Sequence, residues 1–230
     1  MHLSQPYESA AVRAVTGPAI RPGGLELTRR AARYCRLTDG DRVLDAGCGA
    51  GATLDFLKSR CGAEAIGVDL SASLLTEAKQ GRSGPNLIRA NTMALPIKTA
   101  RMKAVFCECA LSLLPDPAHA LEEFQRVLRA HGHLVVTDLY RRADGQMAPT
   151  GSATGGGCMK GAVDRRTMIQ RLKTAGFEIR LWEDHSDLLK KLAARLVWAG
   201  ISLSQWWDVD CSSSRKSRPW RPGYCLIIAH

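Results

Sequence analysis

Long apolar runs are missing from this chain. No window approaches the ~18 continuous apolar residues that a membrane-spanning helix needs. The opening stretch, MHLSQPYESAAVRAV, carries no basic head followed by an apolar block, so no secretory signal is expected. A soluble cytoplasmic protein follows as the expectation. Paired cysteines are missing as well. Cys35, Cys48, Cys61, Cys107, Cys109, Cys158, Cys211 and Cys225 are scattered, with no CxxC spacing and no compact framework. That pattern predicts reduced thiols, and no spacing supports a four-ligand zinc site. There is no internal repeat. Concentrated charge is scarce: the net charge is +10, but apart from RKSRPWRP at 215–222 the basic residues are dispersed. A basic balance fits nucleic acid, a membrane surface or acidic substrates, whereas a dispersed excess with no appended binding module argues against nucleic acid.

What is present is an alternation. Strand-like runs are RVLDA (42–46), AIGVD (65–69), NLIRA (86–90), KAVFCEC (103–109), HLVVTD (133–138), FEIRLW (177–182) and YCLIIA (224–229). Between them lie helical runs at 52–60, 73–80, 117–129 and 165–175, with a further helix at 187–202 and another, LELTRRAARYC, at 25–35. Strand and helix in turn predict an α/β fold, a Rossmann-like seven-stranded, mostly parallel sheet with helices on both faces. The expected organisation is one domain over 1–230, with an irregular N-terminal arm at 1–24 and a helical insertion at 183–215 before the last strand. Ligands of such sheets sit at the carboxyl ends of the strands, where strand order reverses.

The first strand runs into VLDAGCGAG (43–51). Gly47, Gly49 and Gly51 permit a tight turn and close approach of a ligand to the backbone. A dinucleotide fold uses a similar turn, so the glycines leave the cofactor open. Asp45 discriminates. A pyrophosphate on this turn would be repelled by a carboxylate at the strand end, whereas a cofactor with a cationic amino-acid tail would be held by it. Asp69 ends the second strand, where an acidic residue pairs with ribose hydroxyls. Asn91, in RANTMALP (89–96), is placed to hydrogen-bond an adenine edge. Each also has a plain structural reading: Asp45 and Asn91 as turn residues, Asp69 as a helix N-cap.

Taken together, VLDAGCGAG, Asp69, the NTMALP segment and AVFCECALSLLPDP (104–117) resemble the class I S-adenosylmethionine-dependent methyltransferases over roughly residues 40–140. The resemblance implies S-adenosyl-L-methionine as cofactor and S-adenosyl-L-homocysteine as its product. It implies that Gly47 and Gly49 line the methionine end and Asp45 anchors the amino group. Asp69 would bind the ribose, and Asn91 and Thr92 the adenine, with Cys48, Leu70, Met93 and Glu108 alongside. Asn91 departs from the aspartate commoner there, yet an amide both accepts and donates.

The acceptor is expected to be a small molecule. CECA (107–110) lacks the Asn/Asp-Pro-Pro-aromatic tetrapeptide of enzymes that methylate exocyclic amines. Cys109 at the fourth strand tip and Cys158 in GGGCMKGAV (155–163) resemble the two placed cysteines of the arsenite methyltransferases, with Gly161 and Ala162 completing a Cys-x-x-Gly-Ala pattern. That resemblance implies a metalloid substrate held by Cys109 and Cys158, because soft thiolates suit a thiophilic centre. A third thiol would come from Cys48, Cys107 or Cys211. The upstream cysteines and the extra C-terminal domain of that family have no counterpart here. The plain reading makes Cys109 a small buried hydrophobe and Cys158 a loop bystander. Glu108, expected to point opposite to Cys107 and Cys109, is the acidic base candidate at that strand tip. Tyr7 and Arg21 of the arm could cover the cofactor, with Arg21 meeting its carboxylate, and the tryptophans of SQWWDVD (204–210) could wall the acceptor pocket. RNA methylation, and a cofactor-binding regulator without catalysis, are the alternatives.

Overall fold

The computed structural model describes residues 10–80, 86–142, 161–203 and 221–230. Seven strands form one sheet: β1 (Arg42–Ala46), β2 (Glu64–Asp69), β3 (Asn86–Arg89), β4 (Met102–Glu108), β5 (Leu128–Arg142), β6 (Ile179–Asp184) and β7 (Arg221–Ala229). Their order is β3-β2-β1-β4-β5-β7-β6. The first five are parallel, and β7 runs antiparallel to both β5 and β6. This is the α/β, Rossmann-like arrangement the alternation predicts.

Helices cover both faces: α2 (Glu26–Tyr34), α3 (Ala52–Cys61), α4 (Ala72–Lys79), α5 (Pro117–Val127), α6 (Arg165–Thr174) and α7 (Ser186–Trp198), after a short α1 (Ala10–Thr16). Local chemistry sets their starts. Ser71 accepts from the Leu74 N–H to cap α4, Asp116 with Pro117 behind it caps α5, and Asp164 accepts from Thr167 to cap α6. Covered on both faces, the central strands are apolar along most of their length. One face packs Val105, Cys107, Leu121, Phe124, Met168 and Leu172; the other packs Leu27, Leu54, Leu57, Phe106 and Tyr224.

Three local expectations change. The arm is not irregular throughout, because AAVRAVT forms α1, whose Val12 packs on Leu192 and Leu196 of α7. β5 begins at Leu128, ahead of the HLVVTD run expected at 133, and takes in His131 and His133. The pairing with β4 shifts register between Met102 and Ala104, and His131 absorbs the shift at φ 58°. The segment from 183 opens inside β6, with α7 after it, while 204–220 lie outside the described residues. No helix among the described residues is long and apolar enough to cross a membrane.

Strand order reverses between β1 and β4. The chain leaves β1 toward α3 and β2 on one side, and leaves β4 toward α5 and β5 on the other. The carboxyl ends of these two strands therefore diverge from their connections and leave a crevice between them.

Candidate functional site

A cavity of about 950 Å³ opens at that crevice. Gly47, Cys48, Gly49, Asp69, Leu70, Asn91, Thr92 and Met93 line it over β1–β3. Glu108, Cys109, Ser112, Leu113 and Gly161 line it over β4 and β5, and Pro18–Arg21 border it from the arm.

The glycine turn carries the geometry. Gly47, Gly49 and Gly51 have φ of 80°, 52° and 83°, the left-handed region that side chains rarely adopt. A Cβ on Gly47 would stand 2.6 Å from the Cβ of Ala110, so the turn lies directly against the segment after β4. At Gly49 a Cβ would meet nothing within 4 Å, because that position faces open space. The turn is tied to β2: Gly47 N–H donates to Val68 O at 2.8 Å, and Gly49 N–H donates to Asp69 Oδ2 at 2.8 Å. Asp69 Oδ1 accepts from Ser71 N–H at 2.8 Å. Ser71, not Asp69, is the cap of α4, and the Asp69 carboxylate braces two loops while its side chain borders the cavity. Asn91 Oδ1 accepts from Met93 N–H at 3.0 Å, a turn role held together with its place in the lining. Thr92 is buried in the lining, and its Oγ1 has no hydrogen-bond partner among the described residues. Leu70 stands exposed at the rim.

Beneath the turn lies a polar floor that the sequence did not announce. Arg21 Nη2 stands 2.9 Å from Glu108 Oε2 and donates to Thr28 Oγ1 at 2.7 Å and Thr53 Oγ1 at 2.8 Å, while Nε donates to Gly24 O. The two threonine hydroxyls donate in turn to Glu108, at 2.9 Å from Thr28 and 2.7 Å from Thr53. The pair is buried, with the side chains 10% and 1% exposed. Glu108 is therefore not the available base expected at the strand tip, because its oxygens are taken by a guanidinium and two hydroxyls. Asp45 sits on the same face of the sheet, 2% exposed, and does not border the cavity. Its Oδ2 has no hydrogen-bond partner among the described residues. Burial, with Glu108 adding to it, holds its carboxyl well above the usual range against the pull of Arg21. Tyr7 lies outside the described residues.

Alternation stops at Cys109. Cys107 points into the α5 face of the sheet, and Glu108 points to the α2/α3 face. Cys109 takes φ 54°, and it packs on the α2/α3 side, the same side as Glu108 rather than the opposite one. Its N–H donates to Thr137 O, and its Sγ lies 3.3 Å from Tyr224 Oη, which donates to Thr137 Oγ1 at 3.0 Å. A left-handed non-glycine residue bordering a cavity is a recurrent mark of function. Tyr224, on the antiparallel last strand, escaped sequence reasoning because nothing in YCLIIA separates it from a core aromatic. The supporting thiols are not poised. Cys48 Sγ comes within 2.7 Å of a Cβ built on Gly67, so it turns into the core, and Cys107 is fully buried. Burial pushes both thiols up. Cys158, Cys211 and SQWWDVD lie outside the described residues, and among the described residues no group of three His, Cys, Asp or Glu could hold a metal ion.

A third buried carboxylate stands behind this wall. Asp138 of β5, fully buried, accepts from Ser112 N–H at 2.8 Å, Ser112 Oγ at 2.7 Å and Leu139 N–H at 2.7 Å. Burial pushes its carboxyl up to about 6 although these bonds pull the other way. The thiols facing it, Cys107 and Cys225, are raised by burial and stay neutral.

Residues 44–136 match the family model described as a methyltransferase domain. The chain has the class I methyltransferase fold. The chain is 34% identical over 98 residues to a malonyl-acyl-carrier-protein O-methyltransferase of Enterobacter lignolyticus, which covers 43% of this chain and 39% of that protein. It is 28% identical over 156 residues to an arsenite methyltransferase of Halobacterium salinarum, covering 63% of this chain and 39% of that one. The chain thus spans about two fifths of each relative's length. Among solved structures, the cyclase SpnF superposes with a TM-score of 0.71 at 23% identity over 89% of this chain and 80% of that one. Phosphoethanolamine N-methyltransferase 2 of Haemonchus contortus superposes with a TM-score of 0.73 at 18% identity, over 95% of this chain and 55% of that one. These likenesses establish the fold, and a cyclase among them shows that the fold does not dictate the reaction.

Two outcomes follow for the buried charges. Arg21→Met strips Glu108 of its cation and should cost about 3–5 kcal/mol in urea unfolding, with a smaller loss when Glu108→Gln accompanies it. Equal stabilities for Arg21→Met and the parent would contradict the pair's role. For Asp138, the folded carboxyl at about 6 lies above the unfolded value of about 3.9, so between these values the folded state holds the extra proton. Its contribution therefore favours folding at low pH and is lost as pH rises to about 6. Relative to Asp138→Asn, the parent should lose about 2 kcal/mol of stability from pH 4 to pH 7, read from urea titrations at each pH. A pH-independent difference would contradict this.

Proposed function

We propose that this chain is an S-adenosylmethionine-dependent methyltransferase acting on a small-molecule acceptor, working as one domain over its 230 residues. The observation that carries the reading is the cavity at the β1/β4 crevice, which gathers Gly47, Gly49, Asp69, Asn91 and Thr92 along one side. The donor set suits the cofactor. The Asp69 carboxylate can receive ribose hydroxyls, and Asn91 and the unpartnered hydroxyl of Thr92 lie where an adenine would be met. Gly47 borders the cavity beside them, while the Asp45 carboxyl, held well above its usual range by burial, lies beneath the turn outside the lining. The bound cofactor supplies an electrophilic methyl group on a sulfonium. The chain's residues position the acceptor, exclude water and hold a favourable field around the transfer.

A more specific reading makes the acceptor trivalent arsenic or a like metalloid, held by Cys109 and Cys158. Cys109 borders the cavity in its left-handed conformation, and Gly161, three residues after Cys158, borders it too. The arsenite methyltransferase relative supports the same acceptor. The relatives that methylate malonyl-acyl-carrier protein and phosphoethanolamine support other small acceptors. The test is incubation with methyl-labelled cofactor, arsenite and a thiol reductant, beside a neutral phenol as second acceptor. Label should appear on arsenic, and Cys109→Ser should lower that transfer by about 100-fold or more without loss of cofactor binding. Label on the phenol alone would remove the metalloid reading, and label on no acceptor, with the cofactor bound, would favour a regulator without catalysis.

A further inference from the structure

Asp138 is a carboxylate that the sheet does not need. It is fully buried on β5, no cation pairs with it among the described residues, and an apolar residue there would spare the protein its desolvation. Such a group persists where its hydrogen bonds serve something besides stability. Its bonds run to one place. Oδ2 takes the Ser112 N–H and Oδ1 takes the Ser112 hydroxyl, with the Leu139 N–H as a third donor. Ser112 is the middle residue of the short 3-10 turn Leu111–Leu113, which follows β4 and borders the cavity through Ser112 and Leu113. The turn's own bonds run from Leu113 N–H to Ala110 O at 3.0 Å and from Leu114 N–H to Leu111 O at 3.3 Å, and Asp138 supplies the acceptors for Ser112.

The other side of Ser112 meets Gly161. A Cβ on Gly161 would stand 1.9 Å from Ser112 O and 2.8 Å from its carbonyl carbon, so only glycine allows this approach. From there Ala162 is buried, and Arg141 N–H donates to Val163 O at 2.9 Å, which seats residues 161–163 along the end of β5. A chain of contact thus runs from Asp138 to Ser112 to Gly161. It lies at the β4/β5 side of the cavity, separated by the width of β1 and β2 from Asn91 and Thr92 over β3, and neighbouring strands are about 4.8 Å apart.

We propose that Asp138 is a positioning residue for the methyl acceptor: acting through Ser112, it fixes the Leu111–Leu113 turn and the docking of Gly161, and so sets the wall against which the acceptor lies. The proposal rests on the reading of the cavity as a methyl-transfer site. Asp138 touches neither cofactor nor acceptor, and its influence passes through one serine. Asparagine is a poor substitute because it offers one acceptor oxygen where two are used, and its amide nitrogen would face a backbone N–H.

The experiment is hydrogen–deuterium exchange on the full chain, read by mass spectrometry with and without S-adenosylhomocysteine. In Asp138→Asn, amides of 110–114 and 161–164 should exchange at least about tenfold faster, while those of β5 and β7 stay within about threefold. Ser112→Ala should give a smaller acceleration at 110–114. Gly161→Ala, with Asp138 intact, should loosen both segments by driving a Cβ into the Ser112 carbonyl, which keeps the test alive if Asp138→Asn does not fold. In Asp138→Asn the affinity for S-adenosylhomocysteine should hold within about threefold, while KM for arsenite rises by about tenfold or more with less change in kcat. Unchanged exchange at both segments in Asp138→Asn and Ser112→Ala would overturn the proposal, as would acceleration spread evenly through β5 and β7, the mark of a purely structural residue. If arsenite is not methylated, the metalloid reading fails alone and the exchange pattern still decides the role of Asp138. If S-adenosylhomocysteine does not bind, the cofactor reading fails and the proposal falls with it.

Discussion

The left-handed bend after β1 is the constraint on which the site depends. Three alternate glycines at positive φ turn the chain back on itself within five residues, and the first must be glycine because Ala110 stands against it. The bend aligns backbone N–H groups with Val68 O and Asp69, so the tips of β1 and β2 are joined before any ligand arrives. It also opens α3 at Ala52, with Thr53 turned inward to Glu108. Without the bend there is no crevice at the β1/β4 reversal, no seat for Thr53 and no brace for Asp69.

Charge is handled with economy around that bend. Two carboxylates, Asp45 and Glu108, share the face of the sheet below it, and one guanidinium, Arg21, answers both through its field. Arg21 comes from the arm, so the segment that borders the cavity is tied to the floor of the site by a buried ion pair. Such pairs seldom add net stability, because the desolvation of both partners offsets their attraction. They do fix a geometry, since either partner alone is costly to bury. The arm is therefore positioned by the same residue, Glu108, that ends β4.

Much of this was legible in the sequence for a physical reason. Buried parallel strands read as continuous apolar runs, and glycines at fixed spacing mark a bend that few other residues can make, so RVLDA, AIGVD and VLDAGCGAG located β1, β2 and the site. Position pointed to Asp69 and Asn91, the family resemblance to Gly47, Gly49 and Thr92, and all five border the cavity. What stayed hidden depends on contacts between distant segments. Nothing near Arg21 in the chain reveals that its partner is Glu108. Strand alternation assigned Cys109 to the wrong side because a left-handed φ is invisible in a residue other than glycine. Tyr224 and Asp138 lay inside apolar strands, where a tyrosine reads as core and an aspartate as a strand end.

The central claim is that the bend and the carboxylates around it select a sulfonium nucleoside over a pyrophosphate one. Titration calorimetry of the full chain with S-adenosylhomocysteine and, separately, with NAD tests it most directly. The account predicts saturable binding of S-adenosylhomocysteine, weakened at least about tenfold by Asp69→Ala, and no binding of NAD. Binding of NAD with indifference to S-adenosylhomocysteine would contradict it.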